Sequence, residues 1–366
     1  MSGNSGRQAG AVSRRKYLLS SAAIGAAGLA GCSGNSGSDG GDGGDGSDGS
    51  DGGDGSDSSN TIESESSAPA TVTAEGSSTV YPISNKGSSY WNSNSPASDG
   101  EYWGSNSEGS VAGWDQIETD MNIADYFASL YGFEPSGERS NPPFATRVAL
   151  SHSGTGCEAV RDGLVDIGNS SGPITAELDI SESERDENYV DHVVGRDGQP
   201  VFVSQEIYDA GVEQLTGDQI RGIYQGDITN WSDVGGPDRE IFVVGRAEGS
   251  GTDTSFRLNM LGDADASMDV DSRFGQNQQV QQVLQDNDNA IGYMALAFAG
   301  SGIQAIAIDF EGTVYRPDAD AENTIFDSEY PLNRDLHMYT RINDETPSGT
   351  DMREAAFLNM FLTEFG

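Results

Sequence analysis

The chain has 366 residues, 59 of them acidic and 19 basic, for a formal net charge of −40. That length gives room for one or two domains with real cores. The charge excludes nucleic acid and anionic lipid surfaces as partners, because both are bound through Lys and Arg. Hydrophobic residues make up 35% of the chain, with Trp, Tyr and Phe spread along it, so the bulk of it is folded and the acidity lies on its surface. Such a surface repels itself in dilute buffer and is relieved where strong salt shortens the Debye length to about 3 Å at 1 M, which points to an acidic, halophilic protein.

Residues 1–32 read as an export signal. Arg14 and Arg15 precede a short apolar run, Leu18 to Ala30, that is rich in Ala and Gly and too short to span a bilayer comfortably. The pair of arginines resembles a twin-arginine signal, and Leu29-Ala30-Gly31-Cys32 resembles a lipobox, which makes Cys32 the lipid anchor. The remaining cysteine, Cys157, stands too far from it for any zinc pattern. Residues 33–70 are a Gly/Ser/Asp tether: Asp39, Asp42, Asp45, Asp48, Asp51, Asp54 and Asp57 recur every third residue, with no apolar surface to offset ordering. The expected location is the outer face of the cell membrane, held by lipid.

From Thr71 the pattern becomes globular, and three segments share one organisation. Val72-Thr73-Ala74 leads into Gly76-Ser77-Ser78-Thr79-Val80. Arg147 to Leu150 leads into Ser153-Gly154-Thr155-Gly156, followed by Val160, Leu164 and Val165 at helical core spacing. Ile241 to Val244 leads into Arg246 to Thr252, followed by Phe256, Leu258 and Leu261. Each places Gly, Ser and Thr between a strand and a helix. Helix N-termini expose free N–H groups and a partial positive charge, and hydroxyls add uncharged donors. Arg246 supplies a planar fork matched to two oxyanion oxygens. One such loop is an ordinary turn; three of them, one with an arginine, predict anion capture. Neither a phosphate-cradling GxxxxGK[ST] loop nor a GxGxxG occurs, which excludes the usual nucleotide sites.

These loops, together with Val165 to Ser170, Leu215 to Trp231, Ala290 to Tyr293 and Tyr330 to Thr340, resemble the phosphate-binding proteins of phosphate ABC importers over most of Thr71 to Phe365. The resemblance implies an α/β, two-lobed periplasmic-binding-protein-like fold of type II, with the ligand in the cleft and a hinge that closes on it. Lobe 1 is expected at 71–194 with 300–366, and lobe 2 at 195–299. Ser78, Thr79, the Val80 backbone, Ser153 and Ser171 are expected on one rim; Arg246, Ser250, Gly251 and Thr252 on the other. The implied ligand is inorganic phosphate and the implied partner a membrane permease, with no cofactor, metal or catalysis. Ser171 stands where the family commonly has an aspartate that accepts the proton of phosphate, so sulfate, molybdate or tungstate remain alternatives, and a secreted phosphatase working through Ser153 or Ser250 is a further one.

Ser84 to Pro143 reads as an insertion rich in aromatics, taken as an elaboration packed on its own lobe in preference to a lid or partner surface. His152, His192 and His337 show no metal-ligand spacing. Asp166 is expected to be structural, Cys157 a quiet thiol, Trp231 a core residue, and Glu248 either a partner of Arg246 or solvated.

Overall fold

The computed structural model describes residues 71–103, 114 and 117–362. The expectations for residues 1–70, including the export signal, Cys32 and the tether, lie outside the described residues. Among those described, no helix is long and apolar enough to cross a membrane.

The strands are β1 (Val72–Gly76), β2 (Thr146–Leu150), β3 (Ile167–Ser170), β4 (Tyr189–Gly198), β5 (Val201–Ser204), β6 (Gln214–Thr216), β7 (Phe242–Arg246), β8 (Ser272–Phe274), β9 (Ala290–Tyr293), β10 (Ile303–Ala305), β11 (Ala307–Phe310), β12 (Thr313–Tyr315) and β13 (Asn333–Arg341). The first sheet runs β2-β1-β3-β13-β4 and the second β10-β5-β9-β7-β8, with β12-β11-β6 as a small third. In each large sheet the inner strands pair in parallel, β1 with β2 and β3, and β7 with β8 and β9. Parallel pairing needs helices on both faces, and β3 and β9 are buried at every position, as that arrangement requires.

The chain passes between the sheets at Gly198–Val201 and returns at Leu332–Asn333. Gly198 is dictated by this crossing, since a Cβ there would stand 2.0 Å from the Ile325 carbonyl oxygen. The stretch 300–332, expected with lobe 1, has its strands and its buried side chains with lobe 2. β10 pairs with β5, β11 with β6, and Ile306, Ile308, Tyr315, Ile325, Tyr330 and Leu332 share a core with Val201, Trp231 and Phe256. Strands of three or four residues carry little signal of which sheet they join, and only the tertiary pairing decides it.

Each of the three strand–loop–helix segments forms. Helices Tyr81–Ser93, Ser153–Arg161 and Gly251–Phe256 follow β1, β2 and β7. Two predicted core positions differ. Leu164 lies beyond the end of its helix and is 75% exposed, and Leu258, in a π-helical turn over Arg257–Leu261 that departs from the 3.6-residue period, is 41% exposed. The described part of 84–143 supplies a large share of the core of lobe 1. Trp91, Trp103, Trp114 and Phe127 are buried, Trp91 stacks near Phe144 at 4.8 Å between ring centres, and its Nε1 donates to the Phe144 carbonyl at 2.7 Å. Large aromatic surfaces removed from water stabilise this lobe, so these rings are neither lid nor docking surface.

Candidate functional site

The carboxyl ends of β1 and β3 in one lobe face that of β7 in the other, and the loops following them meet. From lobe 1 come Ser77, Ser78, Thr79, Val80, Ser153 and Ser171, each no more than 4% exposed; from lobe 2 come Arg246, Ser250 and Thr252, each no more than 2% exposed. Thr79 Oγ1 and Thr252 Oγ1 hydrogen-bond across the seam at 3.1 Å. Gly154 N donates to the Gly249 carbonyl at 3.0 Å, and Ser255 Oγ to the Ser171 carbonyl at 2.7 Å. Val80 and Ser250 are the residues on which helices Tyr81–Ser93 and Gly251–Phe256 begin, and Ser153 opens helix Ser153–Arg161, so three helix N-termini converge with these hydroxyls. The seam is tight at Gly251, where a Cβ would stand 2.4 Å from Ser153 Oγ and 2.7 Å from Gly172 N.

Arg246 lies at the end of β7 with its fork fixed from several sides. Nε donates to the Phe274 carbonyl at 3.1 Å, Nη1 to Asn277 Oδ1 at 2.6 Å, and Nη2 to the Gly275 carbonyl at 2.6 Å and Ser78 Oγ at 3.2 Å. Burial, with a smaller contribution from the like charge of Arg334, pulls it down to about 9, which leaves it cationic at neutral pH. Beneath it, Asp253 accepts from Tyr293 Oη at 2.5 Å and pairs with Arg257 at 2.8 Å and Arg273 at 3.3 Å. Tyr293 also accepts Arg246 N at 3.2 Å, so the arginine stands on a hydrogen-bonded platform.

Arg246 is not the only cation here. Arg334 is buried on β13 and paired with Asp197 at 2.6 Å. Its Nη1 reaches the carbonyls of Ser171 in lobe 1 at 3.4 Å and of Gly251 in lobe 2 at 3.3 Å, and its Nη2 reaches Thr79 Oγ1 at 3.4 Å. Asp197 in turn accepts Leu296 N at 3.0 Å, so this pair ties both lobes to the crossing strand β4. Asn277 donates to Ser78 Oγ at 3.0 Å and Thr79 Oγ1 at 3.1 Å from the start of helix Asn277–Asp286.

Ser171 occupies the position of main chemical interest. Its hydroxyl accepts from Ser77 Oγ at 2.9 Å and lies 3.4 Å from Ser153 Oγ, and its N–H donates to Ser153 Oγ at 3.1 Å. A hydroxyl already tied to two others presents no carboxylate to the cleft. The His152 ring lies over Gly275 of the other lobe, and the Ser153 hydroxyl instead meets the Ser171 hydroxyl and N–H. Glu248 pairs with Arg257 at 3.7 Å, not with Arg246. Asp166 accepts from Thr73 N at 2.7 Å and Thr73 Oγ1 at 2.8 Å, a tie between β1 and the approach to β3. Cys157 is wholly buried and its thiol is pushed far up by that burial.

All of the rim residues expected from sequence are brought together, with Ser77 of the first loop among them, whereas Arg334, Asp197, Asn277 and Asp253 were missed. Arg334 had a signal of its own: it alternates with Leu336 and Met338 on the buried face of a strand, where a charge needs a reason.

Two α/β lobes joined by two crossings, with helix N-termini and buried donors facing one another across the seam, define a protein of the two-lobed, cleft-bearing fold class. The sequence profile of the PBP superfamily domain matches residues 62–365, and the chain belongs to that family, with the type II form of its fold. It is similar to the phosphate-binding protein PstS of Bacillus subtilis, 30% identical over 205 residues, which cover 55% of this chain and 62% of that one. It is also similar to the protein of the same name from Staphylococcus saprophyticus, 26% identical over 210 residues, 55% of this chain and 63% of that one. The match thus spans less than two thirds of these relatives. In fold it is similar to a Clostridium perfringens substrate-binding protein assigned to phosphate ABC transport and solved with bound phosphate. That similarity has a TM-score of 0.55 at 22% identity, covering 80% of this chain and 93% of that one.

Proposed function

We propose that the chain is the substrate-binding component of an ABC importer and captures inorganic phosphate outside the cell, without catalysing a reaction. The observation that carries this reading is the convergence of Arg246, its fork fixed and its charge buried, with the hydroxyls of Ser78, Thr79, Ser153 and Thr252 and three helix N-termini from two lobes. A small anion seated there has charge-assisted donors on every side, and its bound state is reported by lobe closure, which a permease can sense. The names of the curated relatives support phosphate as the anion. Cys32 as lipid anchor, twin-arginine export and salt adaptation belong to the same reading: a tethered receptor working in concentrated salt.

A second reading, capture of sulfate, molybdate or tungstate, is favoured by the hydroxyl of Ser171, which has no carboxylate to demand a proton from the ligand. Calorimetric titration of phosphate and sulfate in high salt tests both. Micromolar or tighter phosphate binding with weak sulfate binding is expected. Sulfate binding as tight as phosphate would favour the second reading, and absence of phosphate binding would refute the first.

A further inference from the structure

Glu177 lies on helix Ile174–Leu178 of lobe 1, and both its carboxyl oxygens are buried without a hydrogen-bond partner. Its place is the lobe seam. Oε2 is 3.3 Å from where a Cβ on Gly154 would stand, a point itself 3.2 Å from the Gly249 carbonyl oxygen. Oε1 is 2.8 Å from the corresponding point on Gly172, which is 3.3 Å from Gly251 Cα. The carboxyl is therefore enclosed by loops 153–154 and 171–172 of its own lobe and by the 249–251 loop of the other. Thr254, the lobe 2 hydroxyl near enough to favour the charged carboxyl, also faces the Ser250 carbonyl at 3.3 Å, so what it offers Glu177 is shared and weak.

A carboxylate enclosed with no well-formed hydrogen bond to either oxygen is costly, whereas the neutral acid is not. With the lobes parted, the lobe 2 wall of this enclosure is replaced by water, which solvates the charge. We propose that Glu177 is a proton-linked latch on lobe closure, so that capture of the anion takes up one proton from solvent at its carboxyl. This rests on the anion-capture reading and adds to it a dependence on pH that Glu177 sets without touching the ligand.

The groups acting on Glu177 from the elements around it are Asp253 on helix Gly251–Phe256, Arg334 on β13 and Cys157 on helix Ser153–Arg161. Arg257, on the turn beyond Asp253, is engaged by Asp253 and Glu248. Helix Glu182–Asn188, on the other side, carries Glu182, Glu184, Arg185, Asp186 and Glu187, and Arg185 pairs there with Glu182 and Asp186. Burial raises Glu177 from the ordinary 4.5 to about 7, with the Thr254 hydroxyl and Arg334 pulling the other way and Asp253 adding to the rise. For an acid raised in the closed form, closure is favoured most below 4.5 and the advantage is lost as pH rises through about 7.

The test is phosphate calorimetry on the full chain and on Glu177→Gln, in high salt at pH 6 and pH 8.5. The ionisation of phosphate is common to both proteins and cancels in their ratio. The association constant of Glu177→Gln relative to wild type is expected to rise about tenfold from the lower to the higher pH. Glu177→Ala, with the same expected trend, serves if the glutamine variant fails to fold. A ratio independent of pH overturns the latch while leaving anion capture intact. No phosphate binding by wild type at either pH overturns the capture reading and the latch with it.

Discussion

Removing the guanidinium of Arg246 is the most direct perturbation of the proposed site. Of its five N–H groups, hydrogen bonds to Phe274, Asn277, Gly275 and Ser78 occupy four, and the bond to Ser78 is the long one at 3.2 Å. One free N–H, and the one shared with Ser78, can turn onto an anion held between Ser78 and Thr252. A charge-assisted pair in a site this dry costs about 3–5 kcal/mol when one partner is removed. Arg246→Ala is therefore expected to weaken phosphate binding roughly 100- to 4,000-fold, at about 1.4 kcal/mol per decade. Arg246→Lys restores the charge without the fork and should recover only part of the loss, because an ammonium cannot satisfy Asn277, Gly275 and Phe274 together. Both variants leave buried acceptors unpaired at about 1–3 kcal/mol each, so thermal melts must first show that the protein is folded at the titration temperature. A loss of less than tenfold in folded Arg246→Ala would refute the assignment of this arginine as the main anion partner.

Gly251→Ala places a methyl 2.4 Å from Ser153 Oγ, so phosphate affinity should fall roughly 5- to 100-fold for an overpacking cost of about 1–3 kcal/mol, while each lobe keeps its packing and Tm changes little. Titration and thermal melts separate the two effects. Arg334→Met strands Asp197 in the interior and is expected to cost about 3–5 kcal/mol of stability in urea denaturation, part of which returns when Asp197→Asn is added. Glu354, on helix Met352–Leu362, has a buried oxygen without a partner, and burial pushes its carboxyl up to about 8. Its folded-state value is the higher one, so its protonated form favours folding below 4.5 and that contribution is lost as pH rises through about 8. Glu354→Gln should accordingly raise Tm relative to wild type at pH 9 and close that gap at pH 4.

What could be read from the sequence follows from how local the determinants were. Gly76 to Val80, Ser153 to Gly156 and Arg246 to Thr252 announce themselves because glycine, hydroxyls and a helix start must lie within a few residues of each other. The lobe boundary was not local. Residues 300–332 are short strands and turns, and only pairing with β5 and β6 assigns them to lobe 2. Arg334 and Asp197 are 137 residues apart and neither lies in a loop of telling composition. Asn277 stands among glutamines at the start of a helix, a setting with no local mark of a site, and only the fold brings Ser78 and Thr79 opposite it. Glu177 was hidden for the opposite reason: in sequence it is an ordinary acidic residue of a short helix, and its isolation exists only once loops from both lobes close around it.

The burial of Arg246 and Arg334 has a kinetic corollary. With 59 acidic against 19 basic side chains, the far field of the chain repels the anion proposed as its ligand, and the attraction resides at short range inside the seam. Steered receptors capture their ligands more slowly as salt is added. Here added salt removes an outer barrier before it weakens the shielded interior contacts, so the association rate constant for a dianion rises with ionic strength. Brine would then be the medium in which this receptor encounters its ligand fastest.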